Sequence, residues 1–349
     1  MMSNFGSLAD LGWQTFFQQQ LSLAEWDEGV PARVVDQYKS VITVATETGV
    51  FNIPLLATMP EMVVGDWPLL DSQQHILRLL DRKTCFSRKA AGSKLKRQLI
   101  SANVDTAFIV SSMNDDFNLN RIERFLSLVN ESGAETVVLL SKSDQTETPQ
   151  SFVEQIQALD PFLMVEAINC LDEESVNKLS PWIKEGITIA VLGSSGVGKS
   201  TLINTLLGEK RQGTAGIRED DDEGLHTTTR RSLISLGEEG MILDTPGMRE
   251  IQMADCMECI AITFADIEAY AAQCKFGDCQ HQAEPGCAVQ QVIVSGDLEQ
   301  RRLNNYLKLL REEVFNSATL FELRCSDKAF SYVLQAHTIT NSETKRQIT

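Results

Sequence analysis

Three short motifs in this chain stand in an order that constrains its fold more than any other feature. SKSD at Ser141 to Asp144 comes first, GSSGVGKS at Gly193 to Ser200 second, and DTPG at Asp244 to Gly247 third. They match the guanine-reading, phosphate-cradling and γ-phosphate-sensing patterns of a GTP-binding domain, in which the guanine reader ordinarily comes last. The order therefore predicts a circularly permuted α/β domain.

The middle motif matches GXXXXGKS in full and lies between the apolar run Ile187 to Leu192 and the helical run Thr201 to Leu207. Gly193, Gly196 and Gly198, with Ser194, Ser195 and Val197 between them, let backbone N–H groups wrap phosphates at a helix start. Lys199 is expected to reach the β and γ oxygens, Ser200 to ligate Mg²⁺, and Thr201 to complete the nucleotide contacts. A chance glycine-rich turn would not carry this strand-before, helix-after context.

SKSD is common surface sequence by itself, but here it follows the strand-like run Thr136 to Leu140. Asp144 suits the guanine ring N–H and exocyclic amine, the Lys142 stem suits the face of the base, and Ser143 lies between them. Ser141 stands where Asn or Thr is usual, which predicts a looser buttress between this loop and the phosphate loop. Asn169 and Cys170, after the run Phe162 to Ile168, fall where a backbone contact to the guanine oxygen is expected. Asp144 opposes an ATP-binding reading.

In the third motif Asp244 is expected to hold Mg²⁺ through water, while the Gly247 N–H meets the γ-phosphate. Met248 follows, where Ras-like enzymes use Gln, so another group must position the attacking water. His226 in GLHTTT, Gly224 to Thr229, is the candidate catalytic residue, and Thr228 a candidate Mg²⁺ ligand. A lone loop histidine is more often structural or solvated, and that alternative stays open. The preceding acids, Glu219 to Glu223, repel one another and the phosphates, which predicts a solvated loop without nucleotide.

With 349 residues, 43% hydrophobic, the chain has enough apolar surface for more than one domain. We expect an N-terminal extension (1–29), a β-barrel of OB type (30–80), a basic linker (81–103), the permuted domain (104–270) and a helical metal-binding domain with its tail (271–349). The barrel rests on short apolar runs separated by turns, at Ala32 to Val35, Val41 to Thr46, Val50 to Leu56 and Ile76 to Leu80. Pattern alone leaves other small barrels open. From Val104 onward strand and helix runs alternate, which predicts a mostly parallel sheet with ligands at the carboxyl ends of its strands.

A formal charge of −17 excludes indiscriminate nucleic-acid binding, so any RNA contact must use a local patch. Arg82, Lys83, Arg88, Lys89, Lys94, Lys96 and Arg97 form such a run, with a solvated linker as the plainer reading. No apolar run is long enough for a membrane span and no signal peptide is legible, so a cytoplasmic protein is expected. In a reducing compartment clustered Cys and His are read as metal ligands before disulfides. Cys274, Cys279, His281 and Cys287, spaced CX4CXHX5C, form a closed set of three thiolates and one imidazole suited to one structural Zn²⁺. Cys256 and Cys259 are read as core thiols.

Taken with ANVD at Ala102 to Asp105, HTTT, and DTPGMRE, these motifs resemble the RsgA family of circularly permuted GTPases, from about Pro31 to about Glu313. The resemblance implies an OB-fold domain, a permuted GTPase domain and a zinc domain. It also implies work in late assembly of the small ribosomal subunit, contact with that subunit and its rRNA, GTP hydrolysis stimulated there, and release afterwards. It supports His226 as the catalytic histidine. The expected chain is a monomer binding GTP and GDP, and no membrane. The rival expectation is a nucleotide-gated ribosome-binding module with negligible hydrolysis, which Met248 and the acidic run favour.

Overall fold

Runs that are apolar throughout, rather than at every second position, form the middle of the main sheet, because a strand covered on both faces has no polar side to present. Thr106–Ser112 and Thr188–Leu192 are buried at every residue. The computed structural model describes residues 7–89, 97–208, 231–237, 240–244, 257–282 and 284–317. Two compact units emerge: Met1–Ser87, Leu99–Phe125 and Ser132–Ile251 in the first, and Arg88–Gln98, Leu126–Glu131 and Gln252–Thr349 in the second.

The first unit starts with helices α1 (Thr15–Gln18) and α2 (Leu23–Glu28), the latter opened by a capping box between Ser22 and Glu25. Strands β1 (Val30–Pro31), β2 (Arg33–Tyr38), β3 (Val41–Thr46), β4 (Gly49–Pro54), β5 (Pro68–Leu70) and β6 (Ile76–Leu79) form the β-rich N-terminal region. β3 spans the run Val41 to Thr46, β4 and β6 lie within two residues of theirs, β2 runs on past Val35 to Tyr38, and β1 and β5 match no run. β7 (Cys85–Lys89) pairs with β8 (Arg97–Ala102) in a ribbon, so the segment read as a linker carries two strands. Composition conceals them because a ribbon is held by backbone hydrogen bonds, which charged side chains do not prevent.

Next, β9 (Thr106–Ser112), α3 (Leu119–Ser132), β10 (Glu135–Ser141), α4 (Pro149–Gln157), β11 (Met164–Ala167), α5 (Glu173–Val176), β12 (Thr188–Leu192) and α6 (Lys199–Leu207) alternate; β13 (Arg231–Ser235) and β14 (Met241–Asp244) end the strands. The nine-stranded sheet runs β11-β10-β9-β12-β14-β13-β2-β3-β4. Pairs from β11 to β14 are parallel, while β13 runs antiparallel to both β14 and β2. Among the described residues, Asp36 and Gln37 of β2 register with β13, at Ser232 and Arg231. The N-terminal strands thereby extend the sheet that carries the motifs. Val34 in β2 exchanges backbone hydrogen bonds with Asp66 and Gly65, and Ala32 before it donates to the Pro68 carbonyl.

The ANVD segment holds this junction together. Asn103 adopts φ 55, and its side chain accepts from the Lys83 N–H at 2.8 Å and donates to the Gly65 carbonyl at 2.9 Å. Gly65 itself has φ +94, and a Cβ there would overlap the Ala102 carbonyl, so only glycine fits. Asp105 accepts from the Thr188 N–H of β12 at 2.9 Å and from Gln14 Nε2 at 2.8 Å. Fully buried Arg33 donates to the Thr188 hydroxyl at 2.7 Å, the Asn103 carbonyl at 3.0 Å and the Leu11 carbonyl, and stacks over Trp67. Burial lowers its pKa to about 10, against the pull of Asp105 and Asp66, so it stays charged at neutral pH. Arg82, read in sequence as part of a basic strip, is a fork on buried Asp66 at 2.7 and 2.8 Å.

The second unit holds α7 (Met257–Thr263), α8 (Ala265–Ala271), α9 (Ala288–Ser295) and α10 (Gln300–Ser317). α7 and α8 are separated at Phe264, where Arg302 lies over the ring and forks onto Asp266 at 2.8 Å through two nitrogens. Cys259 is buried as expected but disulfide-bonded, which corrects its reading as a thiol; Cys256 lies outside the described residues.

Candidate nucleotide site and metal centre

The phosphate loop leaves the carboxyl end of β12 and enters α6 at Lys199. Gly193 has φ +146, and a Cβ on it would collide with the Val110 carbonyl of neighbouring β9, so the loop turns only because that side chain is absent. Gly196 and Gly198 also have positive φ. Lys199 is buried, and its Nζ donates to the Gly193 carbonyl at 2.7 Å and to the Ser194 carbonyl. The ammonium is thus held against the loop backbone.

SKSD leaves β10, two strands away on the same sheet edge. Ser141 is fully buried, and its hydroxyl donates to the Val197 carbonyl of the phosphate loop at 2.6 Å; the Ser111 carbonyl lies at 3.3 Å. The looser buttress expected of this serine is not what its geometry provides. Lys142 takes a left-handed conformation, and Ser143–Gln145 make one 3-10 turn that presents Asp144 to solvent. The Ser143 N–H bonds the Ile168 carbonyl at 3.2 Å, tying this loop to the end of β11.

Asn169 and Cys170 follow there. Asn169 Oδ1 accepts from the Leu171 N–H at 3.0 Å, and the Cys170 carbonyl accepts from the Thr205 hydroxyl of α6 at 2.6 Å. A Cβ built on Gly198 would lie 3.7 Å from Cys170 Sγ and 3.8 Å from Ser141 Oγ, so three loops meet beneath the phosphate cradle. Burial first, then the charge of Asp144, pushes the Cys170 thiol up to about 11, and it stays protonated at neutral pH. The site therefore gathers Ser141 to Asp144, Asn169, Cys170 and Gly193 to Thr201 at one sheet edge. The Asp244 backbone ends β14 nearby in the same sheet. The Asp244 side chain, Gly247, Met248, Glu219 to Glu223, His226 and Thr228 lie outside the described residues.

One neighbour of the cradle escaped the motif reading. Arg121 of α3 donates through Nη1 to Ser194 Oγ at 3.0 Å and to Asp116 Oδ1 at 2.8 Å. The signal was positional: β9 lies beside β12, so the segment after β9 also leaves the ligand-facing edge.

The four residues of CX4CXHX5C converge in the second unit, with their candidate ligand atoms all within 4.8 Å of one another. Cys274 and Cys287 Sγ lie 3.9 Å apart, and they lie 3.6 and 3.5 Å from His281 Nδ1. Tetrahedral ligation at ordinary Zn–S lengths puts sulfurs about 3.8 Å apart. A disulfide needs about 2.05 Å, and all three cysteines are free. His281 reaches the cluster from a left-handed backbone (φ 59), and Cys287 caps α9 by accepting from the Gln290 N–H at 3.4 Å. Burial lowers the His281 pKa and raises Cys279 to about 12, so a dication is needed to draw off the thiol protons. The donor set fits a closed, structural metal site.

Comparison with known proteins gives one answer. A family profile described as RsgA GTPase matches residues 79–254. Small ribosomal subunit biogenesis GTPase RsgA 2 of Vibrio parahaemolyticus is 52% identical over 347 residues, covering 99% of this chain and 96% of the relative. Small ribosomal subunit biogenesis GTPase RsgA of Mesorhizobium japonicum is 42% identical over 317 residues, covering 89% and 91%. Among solved structures, YjeQ from Thermotoga maritima superposes with a TM-score of 0.61 at 24% identity, covering 82% of this chain and 98% of that one. YloQ, a circularly permuted GTPase, superposes at 0.58 and 23%, covering 83% and 97%. Both likenesses concern the fold.

Proposed function

The chain belongs to the RsgA GTPase family, and from that premise we propose that it hydrolyses GTP in late maturation of the small ribosomal subunit. In this reading it binds the subunit and its rRNA, is stimulated there, and leaves after hydrolysis. The names of its relatives support the process, and the assembled sheet edge supports the chemistry. The observation that carries the reading is the Ser141 hydroxyl on the Val197 carbonyl, which joins the guanine-reading loop to the phosphate loop despite their inverted order.

Each residue then has a role. Asp144 accepts from the guanine ring N–H and amine, Lys142 covers the base, and the backbone of Gly193 to Thr201 surrounds the phosphates. Lys199 meets the β and γ oxygens. Ser200, Thr228 and Asp244 would hold Mg²⁺, which would offset the phosphate charge. Gly247 senses the γ-phosphate, and His226 positions water in place of the Gln that Met248 replaces. Cys274, Cys279, His281 and Cys287 would hold zinc, which would staple the helical unit. No described helix is long and apolar enough to cross a membrane, which suits a factor working on ribosomes in the cytoplasm. We read the chain as a monomer, divided at 30–80, 104–270 and 271–349.

Met248 favours a second reading, a nucleotide-gated binding module that hardly hydrolyses GTP. Guanine recognition is common to both and is tested first by Asp144→Asn. That change should shift preference from guanosine to xanthosine nucleotides in equilibrium titrations. Unchanged GTP affinity would remove Asp144 from the base-reading role.

A further inference from the structure

We propose that Arg121 is a phosphate-binding residue of the nucleotide site that favours the triphosphate over the diphosphate, an inference that rests on the GTP-binding reading above. Arg121 lies outside every motif of the site, in the first turn of α3, and its placement is fixed from both ends of the preceding loop. Asn118 Oδ1 accepts from the Arg121 N–H at 3.2 Å, which caps the helix. Asn114 Oδ1 accepts from the Asp116 N–H at 3.1 Å and from the Ser112 hydroxyl at 2.8 Å, which holds the acid that orients the guanidinium.

The guanidinium uses only Nη1 for Asp116 and Ser194. Its Nε and Nη2 donors have no partner among the described residues, and the side chain is about half exposed. A planar cation held in place with donors to spare is suited to a phosphate oxygen. Its place along the phosphate chain follows from Lys199. The ammonium expected on the β and γ oxygens bonds the carbonyl of Ser194, the residue whose hydroxyl Arg121 holds. One residue thus carries the lysine on its backbone and the arginine on its side chain. This sets the second cation near the γ end, where GTP and GDP differ in charge. Asp116 takes up part of the Arg121 charge through one nitrogen.

The test compares full-length wild type, Arg121→Ala, Arg121→Lys and Lys199→Ala for binding of GDP and a non-hydrolysable GTP analogue, with a melting curve for each. Arg121→Ala should weaken the GTP analogue about tenfold while GDP stays within about twofold, as expected when one charge-assisted hydrogen bond is removed from the triphosphate alone. Arg121→Lys should recover most of the difference, because the charge remains. Equal weakening for both nucleotides would mean that Arg121 only props the loop, and no weakening for either would mean that it is a surface residue; both overturn the proposal. If Arg121→Ala melts early, Arg121→Gln is read by the same criterion. Lys199→Ala should bind neither nucleotide; a wild type that binds neither would instead defeat the nucleotide-site reading itself, and this inference with it.

Discussion

At Ser141 one short hydroxyl ties two loops that the chain order separates by more than fifty residues. Serine reaches the Val197 carbonyl because β10 delivers its backbone close to the cradle, whereas the sequence showed only that a longer side chain was missing. Losing this bond by Ser141→Ala should weaken GDP and the GTP analogue alike, by about fivefold for one hydrogen bond of about 1 kcal/mol. Nucleotide titrations check this, and unchanged affinity would show that the buttress lies elsewhere. The equal effect on both nucleotides distinguishes it from the selective weakening expected at Arg121. The loops that carry Lys199 and Asp144 could be placed after their strands because their motifs have fixed spacing. Arg121 could not be, since its partners Asp116 and Ser194 lie 5 and 73 positions away and no spacing rule links them. Arg82 was misleading for a related reason: its charge belongs to Asp66, which composition cannot pair with it.

Elements repeat the lesson at longer range. β9, β10 and β12 could be read from uninterrupted apolar runs, since burial on both faces leaves that mark. β13, RSLIS, alternates weakly and went unread, yet it is the strand that joins β14 to β2. Its place depends on backbone pairing with partners nearly two hundred residues upstream, which side-chain pattern does not encode. In the second unit the metal cluster was legible from four ligands in fourteen residues, but the capping of α9 by Cys287 was not. Because one ligand also starts that helix, metal and helix should be lost together. Purified protein should carry one zinc, and a chelator that removes it should lower helical ellipticity and the melting temperature. A metal-free chain with the same helicity and melting curve would refute the structural role.

At the scale of the molecule, permutation leaves the sheet edge intact while redirecting the chain. The strands that carry the base-reading and phosphate loops lie in one nine-stranded sheet, although their chain order is inverted. Carboxyl ends of parallel strands gather ligand loops whatever order the chain visits them in, which is why the motif order revealed the permutation without disturbing the site. The same sheet takes in β2, β3 and β4. That junction is locked by Arg33, Asn103 and Asp105, so the ANVD segment is structural. We propose a GTPase triggered by the small ribosomal subunit. The most direct test is steady-state GTP turnover by the full-length protein alone, with purified small subunits and with large subunits, using Lys199→Ala as the blank. The account predicts slow turnover alone, strong stimulation by small subunits and none by large ones. Bound GTP with no stimulation by small subunits would contradict it.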